Sequence, residues 1–297
     1  MKLLIIINPV SGNTDTGMFK SKAKNLLETY GIEYKFHETS GENDKEKIYE
    51  AAKDFKPDKI AAAGGDGTVL TAALAVKDLN IPIGIVPLGS ANGMAFEMNV
   101  PQEPLNAFKD ILLSSMVKKI DLLIINKEHY SLHFGDFGVN ARIVQASEET
   151  EDRGMASYAK AFLRELGNFD EFNCTIETPD KTNRSQAVMV AFCNARHFGT
   201  GIPLNSISNP FDGKFEIVVI REVNASAILN MGLAYFDENF TDNLNSEIIQ
   251  CTQAKISFEK EHVLQLDGEL KGNFKEINIE ILPSAVPIIT TGNNRYL

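Results

Sequence analysis

Ala61-Ala62-Ala63-Gly64-Gly65-Asp66-Gly67-Thr68-Val69-Leu70 is a run of small apolar residues that breaks into a glycine-rich turn and resumes as an apolar stretch. A strand that ends in such a turn and continues as a helix is the unit from which parallel α/β sheets are built. Glycines at 64, 65 and 67 permit positive φ and put no Cβ between backbone and ligand, so successive N–H groups can face phosphate oxygens. The helix that starts near Thr68 adds the positive end of its dipole to the same spot. A capped structural turn is the plainer reading of a bare Gly-x-Gly. Gly-Gly-Asp-Gly-Thr is far more specific and points to an anion held beyond the carboxyl end of a sheet strand.

Outward from this turn, short β-branched runs at residues 2–7, 33–37, 58–63 and 83–86 alternate with helical stretches, which predicts a parallel sheet. From about residue 118 the texture changes to short strands at 172–177, 186–193, 214–220, 255–259 and 276–282, with helical insertions around 157–166 and 225–236. The reading is an α/β nucleotide-binding domain over residues 1–122 and a mostly antiparallel, β-sandwich-like domain over 123–297, the boundary being placed by texture alone. At 297 residues and 43% hydrophobic composition the chain can bury a core in each.

No apolar run reaches the roughly 18 to 20 residues that a membrane-spanning helix needs. The apolar N-terminal run is short and meets Asn8-Pro9 at once, so it reads as a buried strand rather than a leader. Cys174, Cys193 and Cys251 are too scattered for a disulfide framework or metal knuckle, which fits a reducing cytoplasm. The five histidines show no ligand spacing for zinc beyond a His129/His133 pair that lacks a third partner. A formal charge of −11 disfavours nucleic acid and bulk attraction to anionic surfaces. Lys118-Lys119 and the Arg153, Lys160, Arg164 series are the local basic clusters, a pattern more often found on a solvated helix face.

Two further turns repeat the device. Asn8-Pro9-Val10-Ser11-Gly12 closes the first strand, and Gly89-Ser90-Ala91-Asn92-Gly93 follows the fourth, where Ser90 or Asn92 could equally be a helix N-cap. Three polar, glycine-bearing turns on one sheet edge are most simply explained by a nucleotide crevice. Phosphoryl transfer asks mainly for positioning and charge neutralisation, with one carboxylate to take the acceptor's proton. Asp267-Gly268-Glu269, after the apolar run 263–266, supplies two carboxylates around a glycine, although Asp-Gly alone often marks a hairpin.

Asn8-Pro9-x-Ser11-Gly12, Gly64-Gly65-Asp66-Gly67-Thr68 and Gly89-Ser90-Ala91-Asn92-x-x-Ala95 together resemble the ordered signatures of the diacylglycerol kinase and sphingosine kinase superfamily. Gly138-x-Asn140-Ala141, Gly154-x-x-Ser157-Tyr158, Asn194 with the residues up to Gly201, Asp212-Gly213 and Asp267-Gly268-Glu269 extend the likeness through the second half. The resemblance implies a cytoplasmic lipid kinase that uses ATP and Mg²⁺, touches the inner membrane face transiently to reach its lipid, and can form a homodimer. Carried over by position, Asn8, Thr39, Gly64, Gly65, Asp66, Gly67, Thr68, Ser90 and Asn92 bind nucleotide. On the same basis Glu269 is the catalytic proton acceptor, Asn140 meets the lipid, and Asp212 holds a structural magnesium unless its Asp-Gly is only a β-turn, while the chemistry of phosphoryl transfer adds to the catalytic residues Asp267, beside Glu269, and Asp66, which can reach the nucleotide side or its metal. Asn140 stands where sphingosine kinases place an acidic residue, so a diacylglycerol-like or other neutral-headed lipid fits better than an ammonium-bearing one. The rival readings are an NAD kinase-like soluble kinase, which shares Gly-Gly-Asp-Gly-Thr, and a non-catalytic nucleotide- or lipid-binding pseudokinase.

Overall fold

In a computed structural model, residues 1–12, 15–139, 141–142, 144, 170–197, 203–222 and 246–297 are described. The helical insertions expected around 157–166 and 225–236 lie outside these residues. The chain forms two compact units, Met1–Ile120 with Ser284–Leu297, and Asp121–Pro283. The texture-based division had given the last fourteen residues to the second domain; they belong to the first unit. The reason is sheet pairing: Ile288 lies in parallel register beside Ile83, and Val286, Ile288 and Ile289 are buried.

In the first unit β1 (Lys2–Ile7), β2 (Glu33–Glu38), β3 (Lys59–Gly64) and β4 (Ile83–Pro87) run parallel in the order β4-β3-β1-β2. The central strands are apolar almost without alternation and buried, as expected of strands covered on both faces. β2, at the edge, alternates exposed and half-buried residues and carries charge, which blunts edge pairing. Three helices connect them, α1 (Thr16–Thr29), α2 (Asp44–Phe55) and α3 (Asp66–Val76), and α4 (Gly93–Glu97) and α5 (Pro104–Leu113) follow β4. Asp15 caps α1 by accepting from the Met18 amide at 2.9 Å, and Phe19, Ala23 and Leu27, spaced four apart, put one face into the core. α5 lies so close to the sheet that a Cβ at Gly84 would sit 2.3 Å from Ile111.

In the second unit β7 (Phe134–Gly138), β10 (Met189–Cys193), β11 (Phe215–Ile220), β12 (Ser246–Cys251), β13 (Gln253–Leu266) and β14 (Glu269–Ile289) form an antiparallel sheet in the order β12-β11-β10-β7-β13-β14. β8 (Phe172–Glu177) pairs with β13 and with β9 (Thr182–Ala187), while β5 (Val117–Ile125) pairs with β6 (His129–Ser131). Phe137, Phe192 and Phe215 are fully buried among Ile217, Ile256, Leu264 and Ile277 and form the core of this unit. The strand expected at 186–193 is two, because Val188 breaks between β9 and β10 and donates its amide to Ile220.

Candidate active site

Adjacent strands β1, β3 and β4 end in three turns that touch one another. Gly12, at φ +57°, packs so tightly that a Cβ would lie 2.4 Å from the Leu88 carbonyl oxygen. A Cβ on Gly89 would lie 2.5 Å from the Gly65 Cα. Side chains at either place would pry the turns apart, so the glycines permit the convergence. Gly64 is a glycine for a different reason: the Thr68 side chain folds back over it, 2.2 Å from where a Cβ would stand. Thr68 is buried and Gly67 exposed, and the Thr68 and Val69 amides close the first turn of α3 on the Gly65 carbonyl. The Asp66 and Gly67 amides, at the start of that helix, have no carbonyl behind them within it and belong to the group that binds anions.

The polar side chains divide into braces and exposed groups. Asp66 accepts from the Gly93 amide at 2.8 Å through Oδ2 and from the Met94 amide at 2.9 Å through Oδ1, tying the start of α3 to the start of α4. Both oxygens are therefore engaged by the neighbouring helix, whereas the sequence suggested that they face the nucleotide or its metal. Asn92, at φ 53°, folds its carboxamide onto Gly89, accepting from its amide and donating to its carbonyl at 2.8 Å each. It staples the turn. Asn8 accepts from the Val10 amide at 3.1 Å as an Asx turn, and Thr39 donates its amide to Ile7 at 2.9 Å, which sets the end of β2 beside Asn8. Ser90 is exposed in the middle of the third turn.

In the second unit Asp267 and Gly268 form a two-residue hairpin between Leu266 and Glu269, with φ of 48° and 89° as a type I′ turn requires. Asp267 accepts from the Ser131 hydroxyl at 2.6 Å, the Phe134 amide at 3.1 Å and the Leu132 amide at 3.3 Å. Its carboxylate anchors the hairpin to the 131–134 turn, a structural duty that the catalytic assignment had not foreseen. Glu269 is the exposed carboxylate of the pair, 65% accessible and 2.5 Å from the Lys271 ammonium. Beneath the hairpin Gln265 accepts from the Gly268 amide at 2.6 Å and donates to Asp136 at 2.6 Å, while Asp136 accepts from the Ala141 amide at 2.9 Å. Both side chains are fully buried. The hairpin that carries Glu269 is thus tied to the residue next to Asn140; Asn140 itself lies outside the described residues.

The sequence matches two domain families: the diacylglycerol kinase catalytic domain over residues 2–125, and the YegS C-terminal NAD kinase beta sandwich-like domain over residues 135–290. The chain belongs to the diacylglycerol kinase family of lipid kinases. It is 31% identical over 250 residues to a probable YegS-like lipid kinase of Pectobacterium atrosepticum, covering 82% of this chain and 81% of that one. A probable YegS-like lipid kinase of Yersinia enterocolitica is 28% identical over 294 residues, covering 96% and 95%. A diacylglycerol kinase structure from Bacillus anthracis shares the fold, with a TM-score of 0.71 at 20% identity over 98% of this chain and 97% of that one.

The lipid kinase carries Asp212 on an exposed turn, where Oδ1 accepts from the Lys214 amide at 2.9 Å and the Gly213 amide donates to the buried Asp121 at 2.7 Å. Among the described residues no three His, Cys, Asp or Glu side chains gather in a way that could hold a metal ion. The donor set at Asp212 fits a β-turn, and a cation there would need backbone carbonyls and water to complete its shell. Sequence reasoning missed Asp136 and Gln265. Their signal was a lone polar residue inside an apolar strand run, Phe134-Gly135-Asp136-Phe137 and Val263-Leu264-Gln265-Leu266, where burial demands a partner.

Proposed function

We propose that this kinase transfers the γ-phosphoryl group of ATP to a hydroxyl of a neutral-headed lipid of the diacylglycerol kind. The observation that carries the reading is the convergence of three glycine-bearing turns at the carboxyl ends of β1, β3 and β4, with the first turn of α3 opening into it. Such an edge supplies backbone amides and a helix dipole to a polyphosphate. Ser90 supplies an exposed hydroxyl, Thr68 packs over Gly64 to shape the turn, Asn8 and Thr39 line the first strand's end, and the braces Asp66 and Asn92 hold the cradle in shape before ligand arrives. Preformed donors cost little reorganisation at the moment of transfer.

On the second unit Glu269 takes the proton of the lipid hydroxyl. Asp267 holds the turn from which Glu269 projects, and the Gln265–Asp136 pair links that turn to residue 141. Asn140 selects a neutral head group because an amide offers no charge to an ammonium. Magnesium travels with ATP as its counter-ion. The deciding experiment is ATP consumption by the purified protein against dispersed diacylglycerol, phosphatidylglycerol, ceramide and sphingosine, with NAD as a soluble control. Phosphorylation of a neutral-headed lipid is expected; phosphorylation of NAD alone would replace the lipid reading with a soluble one.

A further inference from the structure

The turn that joins α5 to β5 presents a surface that neither the nucleotide turns nor the Glu269 hairpin uses. Leu113 is 72% exposed, Met116 44% and Val117 42%, three large apolar side chains within five residues. Lys118 and Lys119 follow directly and are exposed, as is Lys109, one helical turn before Leu113 on the same face of α5. From 109 to 119 the chain holds three lysines against one aspartate, Asp110, in a molecule whose net charge is −11. Among the described residues none of the three lysines has an ion-pair partner.

The turn is held fixed. The Lys59 ammonium donates to the Ile111 carbonyl at 2.8 Å and the Ser114 carbonyl at 2.7 Å. The Ser114 hydroxyl donates to the Thr290 carbonyl, and the Met116 carbonyl accepts from the Thr290 amide at 3.0 Å. Leu113, Met116 and Val117 are therefore exposed by a braced backbone and not by a loose one. Contiguous apolar side chains rimmed by lysine mark a surface built to leave water.

We infer that residues 109–119 dock the kinase on an anionic lipid bilayer. Leu113, Met116 and Val117 enter the boundary between head groups and acyl chains, and Lys109, Lys118 and Lys119 meet lipid phosphates. A local positive cluster is what an acidic protein needs to approach such a surface at all. Two-fold pairing with a second copy would set these lysines against themselves, so the bilayer is the occupant that the charge favours. The inference rests on the proposed function in one respect, that the acceptor is drawn from a membrane.

The test is sedimentation of the full chain with vesicles of phosphatidylcholine alone and of phosphatidylcholine mixed with phosphatidylglycerol. The parent is expected to pellet with the mixed vesicles. The pair Leu113→Asp with Met116→Asp, and separately Lys118→Glu with Lys119→Glu, should each lower the partition coefficient by about tenfold or more. Turnover of lipid dispersed in detergent should stay at the parent's level in both variants, which separates docking from catalysis. Equal vesicle binding by parent and variants, or no binding of the parent to either vesicle, would overturn the inference. So would a parent dimer that dissociates in the aspartate variants, since the surface would then be a self-interface.

Discussion

At the scale of single residues, burial decides what each polar group can do. Glu216, in β11 opposite Cys193, is fully buried and accepts from the Gln250 side chain at 2.8 Å. Burial is the largest influence on it and raises its pKa above the ordinary 4.5; Ser208 and Gln250 oppose this through hydrogen bonds and Lys214 through its charge, while Asp212 adds to it. A carboxyl whose folded pKa is raised keeps its proton to higher pH when folded than when unfolded. Its favourable contribution is complete below 4.5 and is lost as pH climbs through the folded value, leaving a penalty at neutrality. Glu216→Gln keeps the accepting oxygen and removes the charge. The variant's melting temperature should therefore exceed the parent's at pH 7, with the gap closing toward pH 4. A loss of stability of the same size at both pH values would contradict this. The same contrast of burial separates the two hairpin carboxylates, for Asp267 is spent on the 131–134 turn and Glu269 is open.

At the scale of elements, α4 depends on a residue from another helix. It is five residues long, its own cap Asn92 makes no capping bond to it, and its first two amides are received by Asp66. So short a helix has little stability of its own. Asp66→Ala should cost about 2 kcal/mol of stability in denaturant unfolding, the scale of losing charge-assisted bonds to backbone amides, and should weaken ATP binding by loosening the cradle. Stability and ATP affinity both equal to the parent's would show that the brace is idle. Much of this layer could be read in the sequence. Apolar runs that end in turns gave β1, β3 and β4 within a residue or so, because strands buried on both faces leave little alternative, and the alternation of the edge strand β2 gave it equally well. The functions of Asp66, Asn92 and Asp267 could not be read the same way, because their partners are amides supplied by packing that no local pattern encodes. The pairing of Gly65 with Gly89 is likewise a contact between turns distant in sequence.

At the scale of the whole molecule, the family signatures fixed the order of motifs, and the two compact units follow it, while the return of residues 284–297 to the first unit was hidden. The pattern breaks after Leu282 at Pro283 and Ser284, where Ser284 turns to φ 51°, but nothing local says which sheet residues 286–289 then join; the parallel register of Ile288 with Ile83 reveals it. No helix among the described residues is long and apolar enough to cross a membrane. On the inference drawn above, the braced apolar and basic turn at 109–119 is the part of the first unit that would meet a bilayer. In the proposed reaction one exposed carboxylate, Glu269, takes the proton of the lipid hydroxyl as the phosphoryl group passes to it from ATP. The measurement that tests it most directly is the rate at which labelled γ-phosphate passes from ATP to diacylglycerol, for the parent and for Glu269→Gln, with ATP affinity measured on both. Labelled lipid is expected from the parent, a fall of about 100-fold or more in the variant, and ATP affinity nearly unchanged. Equal rates for the two proteins, or a parent that binds ATP and labels no lipid, would contradict it.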